Sequence, residues 1–213
     1  MKPISIKINY VIYLIASLIF ISSIYIENSV LSGISKPIPI LILILQIKWD
    51  SFYNKMIILG LVLSLIGDIL LLKSIDIFIM GLVAFLIAHL FYIIGFMSRT
   101  NKLVILTCIP FYLYGIIIFI FLHQSLGELA IPVAVYMFVI TTMLWRSFIQ
   151  RNTTTISIWA FWGALLFTLS DSIIAISKFY KPFYLAAVFI MLAYYGGQFM
   201  IYWSSVDKNP ASV

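Results

Sequence analysis

Apolar residues dominate this chain in long runs, interrupted by short polar punctuation that recurs roughly every 20 to 27 positions. Runs of about 18 to 22 residues are each long enough to cross a hydrocarbon core of about 30 Å at 1.5 Å per residue. The pattern predicts an all-α, polytopic integral membrane protein with eight transmembrane helices, at approximately 9–26, 29–47, 56–73, 77–97, 103–122, 129–149, 156–177 and 183–204. The connections are short, so residues 1–213 are expected to form a single transmembrane helical domain with no soluble domain left over. The first run is expected to be a retained helix, because no small-x-small cleavage site follows before Glu27. The second span is the exceptional one. Lys36 and Pro37 interrupt it, and the purely apolar part from Ile38 to Ile47 is too short to cross alone, so a re-entrant or broken helix is the alternative to a plain crossing.

Composition agrees with a membrane location: 64% of residues are hydrophobic and 9% charged, against about a quarter charged in soluble domains. A net charge of +6 raises the question of nucleic acid, but the basic residues stand singly at helix ends and form no stripe for a phosphate backbone, so no nucleic-acid partner is expected. They read as topology signals. Alternate connections place Lys2, Lys7, Lys48, Lys55, Arg99, Lys102, Arg146, Arg151 and Lys208 on one face and Lys73, Lys178 and Lys181 on the other. That bias puts both termini in the cytoplasm. Trp49, Trp145 and Trp203 fall near the same boundary and suit interfacial positions. The single Cys108 lies in an apolar run and says little about redox compartment.

Asp68 and Asp171 lie deep within two of the expected spans. An aspartate at the centre of an inserted helix costs roughly 2.5 to 3.5 kcal/mol, so such a carboxyl faces a cavity, a partner or a reaction. Sliding the chain by 103 positions places Asp68 on Asp171, Gly60 on Gly163, Leu63 on Leu166 and Tyr92 on Tyr195. Spans three and four then match spans seven and eight, which suggests a parallel 4+4 half-repeat. Both aspartates fall about five or six residues before the outer end of their span, about 8 Å below that boundary. Lys36 enters at a similar level, either as a third member of one cavity or as a lysine snorkelling to the surface.

His89 and Tyr92 share one helix face, as do Tyr194, Tyr195 and Gln198, and both sets are candidates to extend the cavity. Each has a plainer reading. A buried histidine can simply bond a neighbouring helix, thirteen tyrosines make any one of them a packing residue first, and Gly60, Gly67 and Gly163 serve helix packing equally well. His123 reads as a solvated loop residue. Two histidines and one cysteine argue against a zinc site of the usual type, and no nucleophile elbow, Walker loop or dinucleotide fingerprint is present. Two carboxyl groups in different surroundings are the simplest acid and base available. The competing reading is a proton- or ion-coupled transporter of small molecules or lipids that uses the same aspartates with Lys36; a structural scaffold leaves the carboxyls without purpose.

The segments Lys36-Pro37, Gly67-Asp68-Ile-Leu-Leu, Ala88-His89-Leu-Phe-Tyr92, Ser170-Asp171-Ser-Ile-Ile-Ala175 and Tyr194-Tyr195-Gly-Gly-Gln198, in this order, resemble the YhhN-like lysoplasmalogenases, polytopic membrane proteins of bacteria and animals. The resemblance covers most of the chain. It implies an eight-helix enzyme of the lipid bilayer, in a bacterial inner (cytoplasmic) membrane, that hydrolyses the vinyl ether of a lysophospholipid substrate to a fatty aldehyde and glycerophosphoethanolamine or glycerophosphocholine, without a cofactor or metal. Asp68 and Asp171 would be the catalytic carboxyls, with Lys36, His89, Tyr92, Tyr194, Tyr195 and Gln198 in the substrate pocket. Which aspartate is the acid, and how many copies assemble, do not follow. Phe85, Phe91, Phe167 and Phe189 are candidates to line a slot for the alkyl chain.

Overall fold

The computed structural model describes residues 3–206 apart from 27, 73, 74 and 76, with side chains from residue 9 onward. The expected ends of the chain, with Lys2, Lys7 and Lys208, and the outer-face Lys73 lie outside the described side chains. Every regular element among the described residues is helical: α1 (Pro3–Tyr25), α2 (Ser29–Ser35), α3 (Ile38–Gln46), α4 (Phe52–Leu70), α5 (Phe78–Arg99), α6 (Ile109–Leu126), α7 (Ala130–Gln150), α8 (Ser157–Phe179) and α9 (Ala186–Trp203). A 3-10 turn, Ile105–Cys108, precedes α6, so the fifth expected span begins as a tighter coil and becomes α-helical only where Pro110 enters the first turn, a position that needs no N–H.

Among the described residues, six segments are long and apolar enough to cross a membrane: Ser29–Gln46, Phe52–Leu70, Phe78–Arg99, Ile105–Gln150, Ser157–Phe179 and Ala186–Trp203. The protein is an integral membrane protein. A count of eight requires two further steps: taking α1, whose apolar part Asn9–Tyr25 is shorter, and dividing the 46-residue segment Ile105–Gln150 into two arms. The division has a local cause, because Gly127 sits at φ 52° between α6 and α7, a conformation that side chains resist.

The second span is broken where the sequence interrupts it. Pro37 and Pro39 supply no N–H to the carbonyls of Gly33 and Ser35, so the ladder between α2 and α3 is cut while the backbone stays helical in direction at Lys36 and Pro37. Asn28 caps the start of α2 by accepting from the Leu31 N–H, and Ser51 does the same for α4 through Asn54.

Two hairpins, α4 with α5 and α8 with α9, are the most closely packed pairs, and α7 joins them by lying against both α5 and α8. Small residues allow the approach. Gly60 lies under the Tyr92 ring with no space for a Cβ. A Cβ on Gly163 would stand 2.6 Å from the Gly197 carbonyl oxygen, and one on Gly197 would stand 2.8 Å from that of Gly163, so these two backbones meet face to face. The end of the bundle carrying the starts of α4 and α8 is tied by Arg99. Its guanidinium lies 3.5 Å from the centre of the Tyr53 ring and donates to Ser157 Oγ at 2.9 Å and the Ser204 carbonyl at 2.8 Å. Arg146, buried, donates to the carbonyls of Thr100 and Lys102. Two of the basic residues counted as topology signals thus also join helix ends. Of the three tryptophans, Trp49 is exposed, whereas Trp145 is buried with its indole N–H on Thr107. His123 is exposed but belongs to the last turn of α6, not to a loop.

Gly197→Leu should force α8 and α9 apart at the Gly163 contact, with an overpacking cost of about 1–3 kcal/mol. A fall in the thermal unfolding midpoint in detergent is expected. Gly33→Ala, where a Cβ meets nothing within 4 Å, is the control that should leave the midpoint nearly unchanged.

Candidate active site

The site begins at the end of α4. Leu72 turns back to donate to Ile69 in a 3-10 bond, so the Asp68 carbonyl loses the helical partner it would have in a longer helix. Lys36, at the break between α2 and α3, fills that place: its ammonium donates to the Asp68 carbonyl at 3.0 Å and stands 3.5 Å from Asp68 Oδ1. A cation at a helix C-terminus also meets the negative end of the helix dipole. The second carboxylate oxygen, Oδ2, accepts from the Tyr194 hydroxyl at 2.6 Å. Lys36 and Asp68 side chains are only 11% and 4% exposed, so each charge depends on the other. Lys36 therefore does not snorkel to the surface.

α4 ends at Leu70, three residues earlier than expected, which puts Asp68 in its last turn, while α8 continues to Phe179, eight residues past Asp171. The two aspartates are not at equivalent depths along their helices. They nonetheless line one cavity of about 290 Å³, at the low end of the roughly 300–1,000 Å³ typical of ligand sites. Asp171 Oδ2 accepts from the Tyr136 hydroxyl of α7. Tyr194 and Tyr136 both line the cavity, so each carboxylate is presented by one phenol, but among the described residues only Asp68 is ion-paired with an ammonium. Apolar side chains complete the walls, among them Leu82, Phe85, Met137 and Met191, and residues from helix ends form the rim, including Leu71, Phe78 and Phe179.

Of the expected pocket residues, Lys36 and Tyr194 line this cavity, and His89, Tyr92, Tyr195 and Gln198 do not. All four are buried in the layer behind it. Tyr92 donates to Gln198 Oε1 at 2.8 Å, tying α5 to α9. Tyr195 donates to the Lys36 carbonyl at 3.0 Å and thereby holds the lysine's backbone. His89 stacks edge-on against Tyr136, 5.3 Å between ring centres, and Phe167, 4.8 Å; neither ring nitrogen bonds a described residue. Phe85 lines the cavity and Phe167 lies behind it, but Phe91 is not among the lining residues and Phe189 is half exposed on the outer surface. Among the described residues no group of three His, Cys, Asp or Glu side chains converges for a metal ion.

Tyr136 is the member that sequence reasoning missed. A signal was present: Lys36 shifted by the repeat of 103 falls at 139, one helical turn from Tyr136, on the helix preceding the second aspartate. As one tyrosine of thirteen it carried no mark of its own.

The YhhN family model matches residues 31–205. The human protein named lysoplasmalogenase TMEM86B is 34% identical over 151 residues, which cover 70% of this chain and 62% of the human protein. Its pig counterpart is 30% identical over 192 residues, covering 86% of this chain and 79% of the relative. A Mycobacterium tuberculosis protein named lysoplasmalogenase is 29% identical over 133 residues, 58% of this chain and 49% of that protein. The chain thus spans less than two thirds of the length of some of these relatives. No solved structure matches.

Breaking the buried pair from one side should be costly. Lys36→Met alone is expected to destabilise by about 3–5 kcal/mol, whereas the Lys36→Met/Asp68→Asn double variant should recover most of that loss. Thermal unfolding of the four proteins in detergent checks this; additive effects would show that the two side chains act independently.

Proposed function

The chain belongs to the YhhN family, and from that premise we propose that it is a membrane-embedded lysoplasmalogenase, hydrolysing the vinyl ether of a lysophospholipid to a fatty aldehyde and glycerophosphoethanolamine or glycerophosphocholine. The observation that carries the reading is a single cavity lined by two carboxyl groups in unlike surroundings, Asp68 opposite Lys36 and Asp171 opposite Tyr136. The names of the relatives support the substrate class.

The surroundings divide the roles. The Lys36 ammonium balances a charged Asp68, so Asp68 is the carboxylate of the pair. Asp171 meets a hydroxyl and no described cation, which makes it the proton donor; with Oδ2 held by Tyr136, its other oxygen carries the proton. Asp171 delivers that proton to the outer alkene carbon, whose π electrons form the new C–H bond and leave an oxocarbenium ion at the carbon bonded to oxygen. The Asp68 carboxylate steadies the cation, much as paired carboxyls do in glycosidases. Water then adds to the cationic carbon and returns a proton to Asp171, giving a hemiacetal. The hemiacetal hydroxyl forms the aldehyde carbonyl as the C–O bond to glycerol breaks, and its proton goes to the departing glycerol oxygen. The sum is vinyl ether plus water to aldehyde plus alcohol, with both aspartates as they began. Tyr194 and Tyr136 are positioning residues, and with both termini cytoplasmic the cavity opens toward the other side.

Purified protein in detergent should release aldehyde from a lysoplasmalogen, and Asp68→Asn and Asp171→Asn should each reduce kcat by about 10²-fold or more. Tyr136→Phe should reduce it by roughly tenfold through misorientation of Asp171. Because no gradient exists in detergent, release there also separates hydrolysis from coupled transport. Folded parent protein that releases no aldehyde from either head-group class would overturn the reading.

A further inference from the structure

Among the described residues, two cations line the cavity, Lys36 and Lys178. Lys36 is committed to the Asp68 carboxylate and carbonyl. Lys178 is not: it lies in the last turn of α8, exposed, with no described carboxylate within ion-pairing distance. Its ammonium rests 4.2 Å from the centre of the Phe78 ring at the start of α5, another lining residue. A ring face holds an ammonium in place without cancelling its charge.

We propose that Lys178 is the anchor for the substrate's phosphate, a subsite at the cavity rim that holds a glycerophosphodiester while the reacting ether lies by the two aspartates. The proposal rests on the lysophospholipid reading above and deepens it. Asp171, Ala175 and Lys178, spaced by four and three, form one stripe of α8, and all three line the cavity. Seven residues separate the first from the last along about 10 Å of helix axis. Side chains on a helix lean toward its start, the direction in which Asp171 lies from Lys178. In the substrate, seven bonds lead from phosphorus to the alkene carbon that receives the proton, a reach of about 8 Å when extended. The helix places Asp171 and Lys178 about 10 Å apart along its axis, within the reach of their side chains toward groups about 8 Å apart in the substrate. A lysine suits the task, since it binds phosphate as a point charge and needs no fixed geometry. The arrangement also gives direction: with phosphate at the rim, the alkyl chain is led past the aspartates toward the apolar walls at Leu82, Phe85 and Met191.

The test is equilibrium binding to the full chain in a phosphate-free detergent. The probes are 1-O-hexadecylglycerophosphocholine, a saturated ether that this chemistry cannot hydrolyse, and 1-O-hexadecylglycerol, which lacks the phosphate. Lys178→Ala should weaken the phosphodiester probe by at least about tenfold and leave the phosphate-free ether unchanged, and Lys178→Arg should retain affinity within about threefold. Equal weakening of both probes, or no weakening, would overturn the subsite. Repeating the comparison in phosphatidylcholine nanodiscs separates substrate from bulk lipid as the source of phosphate. Persistence of the difference supports the anchor, and its disappearance assigns Lys178 to the surrounding headgroups instead. Since the probe is not hydrolysed, binding that depends on Lys178 stands even if aldehyde release is absent, and release without that dependence removes the subsite alone.

Discussion

A buried ion pair between a broken helix and a helix end sets the geometry around it. Lys36 can reach Asp68 because Pro37 and Pro39 break the second span at that level, and it has a reason to stay because α4 ends there with an unpaired carbonyl. The same ammonium serves both the carbonyl and the carboxylate. Tyr195 holds the lysine's backbone and Tyr194 holds the carboxylate. Adjacent residues of α9 thus secure both halves of the pair, so α2, α3, α4 and α9 are joined at one point. In lipid, where apolar burial does little to draw helices together, such polar contacts and the Gly163–Gly197 approach supply the specificity.

That constraint explains which parts of the molecule could be read from its residues. Runs of apolar side chains are a property of single helices, and they locate nearly every element within a few residues of its structural bounds. The larger differences arise where tertiary bonds decide the matter. α4 stops at Leu70 although Leu71 and Leu72 continue the apolar run, and the 3-10 turn before α6 occupies residues as apolar as the helix that follows. The aspartates and Lys36 were legible because charge in a membrane span needs a cause. His89, Tyr92, Tyr195 and Gln198 were legible as polar, but helical spacing cannot tell a cavity wall from the layer supporting it. Tyr136 was hidden for the opposite reason: its importance lies wholly in what it touches, a carboxylate on another helix.

The two aspartates also show what an internal likeness can and cannot convey. Each lies on a helix whose preceding span supplies a donor to it, Lys36 for Asp68 and Tyr136 for Asp171, and each of those helices forms a tight hairpin with the next. The details then part. Tyr92 covers Gly60 with its ring, while Gly163 meets the bare backbone of Gly197, and the residue matching Tyr92, Tyr195, turns away to bond Lys36. A symmetric pair of carboxyls with equal partners would have no basis for dividing an acid from a base. The Lys36 ammonium beside Asp68, added to the phenol that each carboxylate meets, removes that equality. The asymmetry of the cavity is therefore carried by the partners of the aspartates, and the aspartates themselves can remain identical.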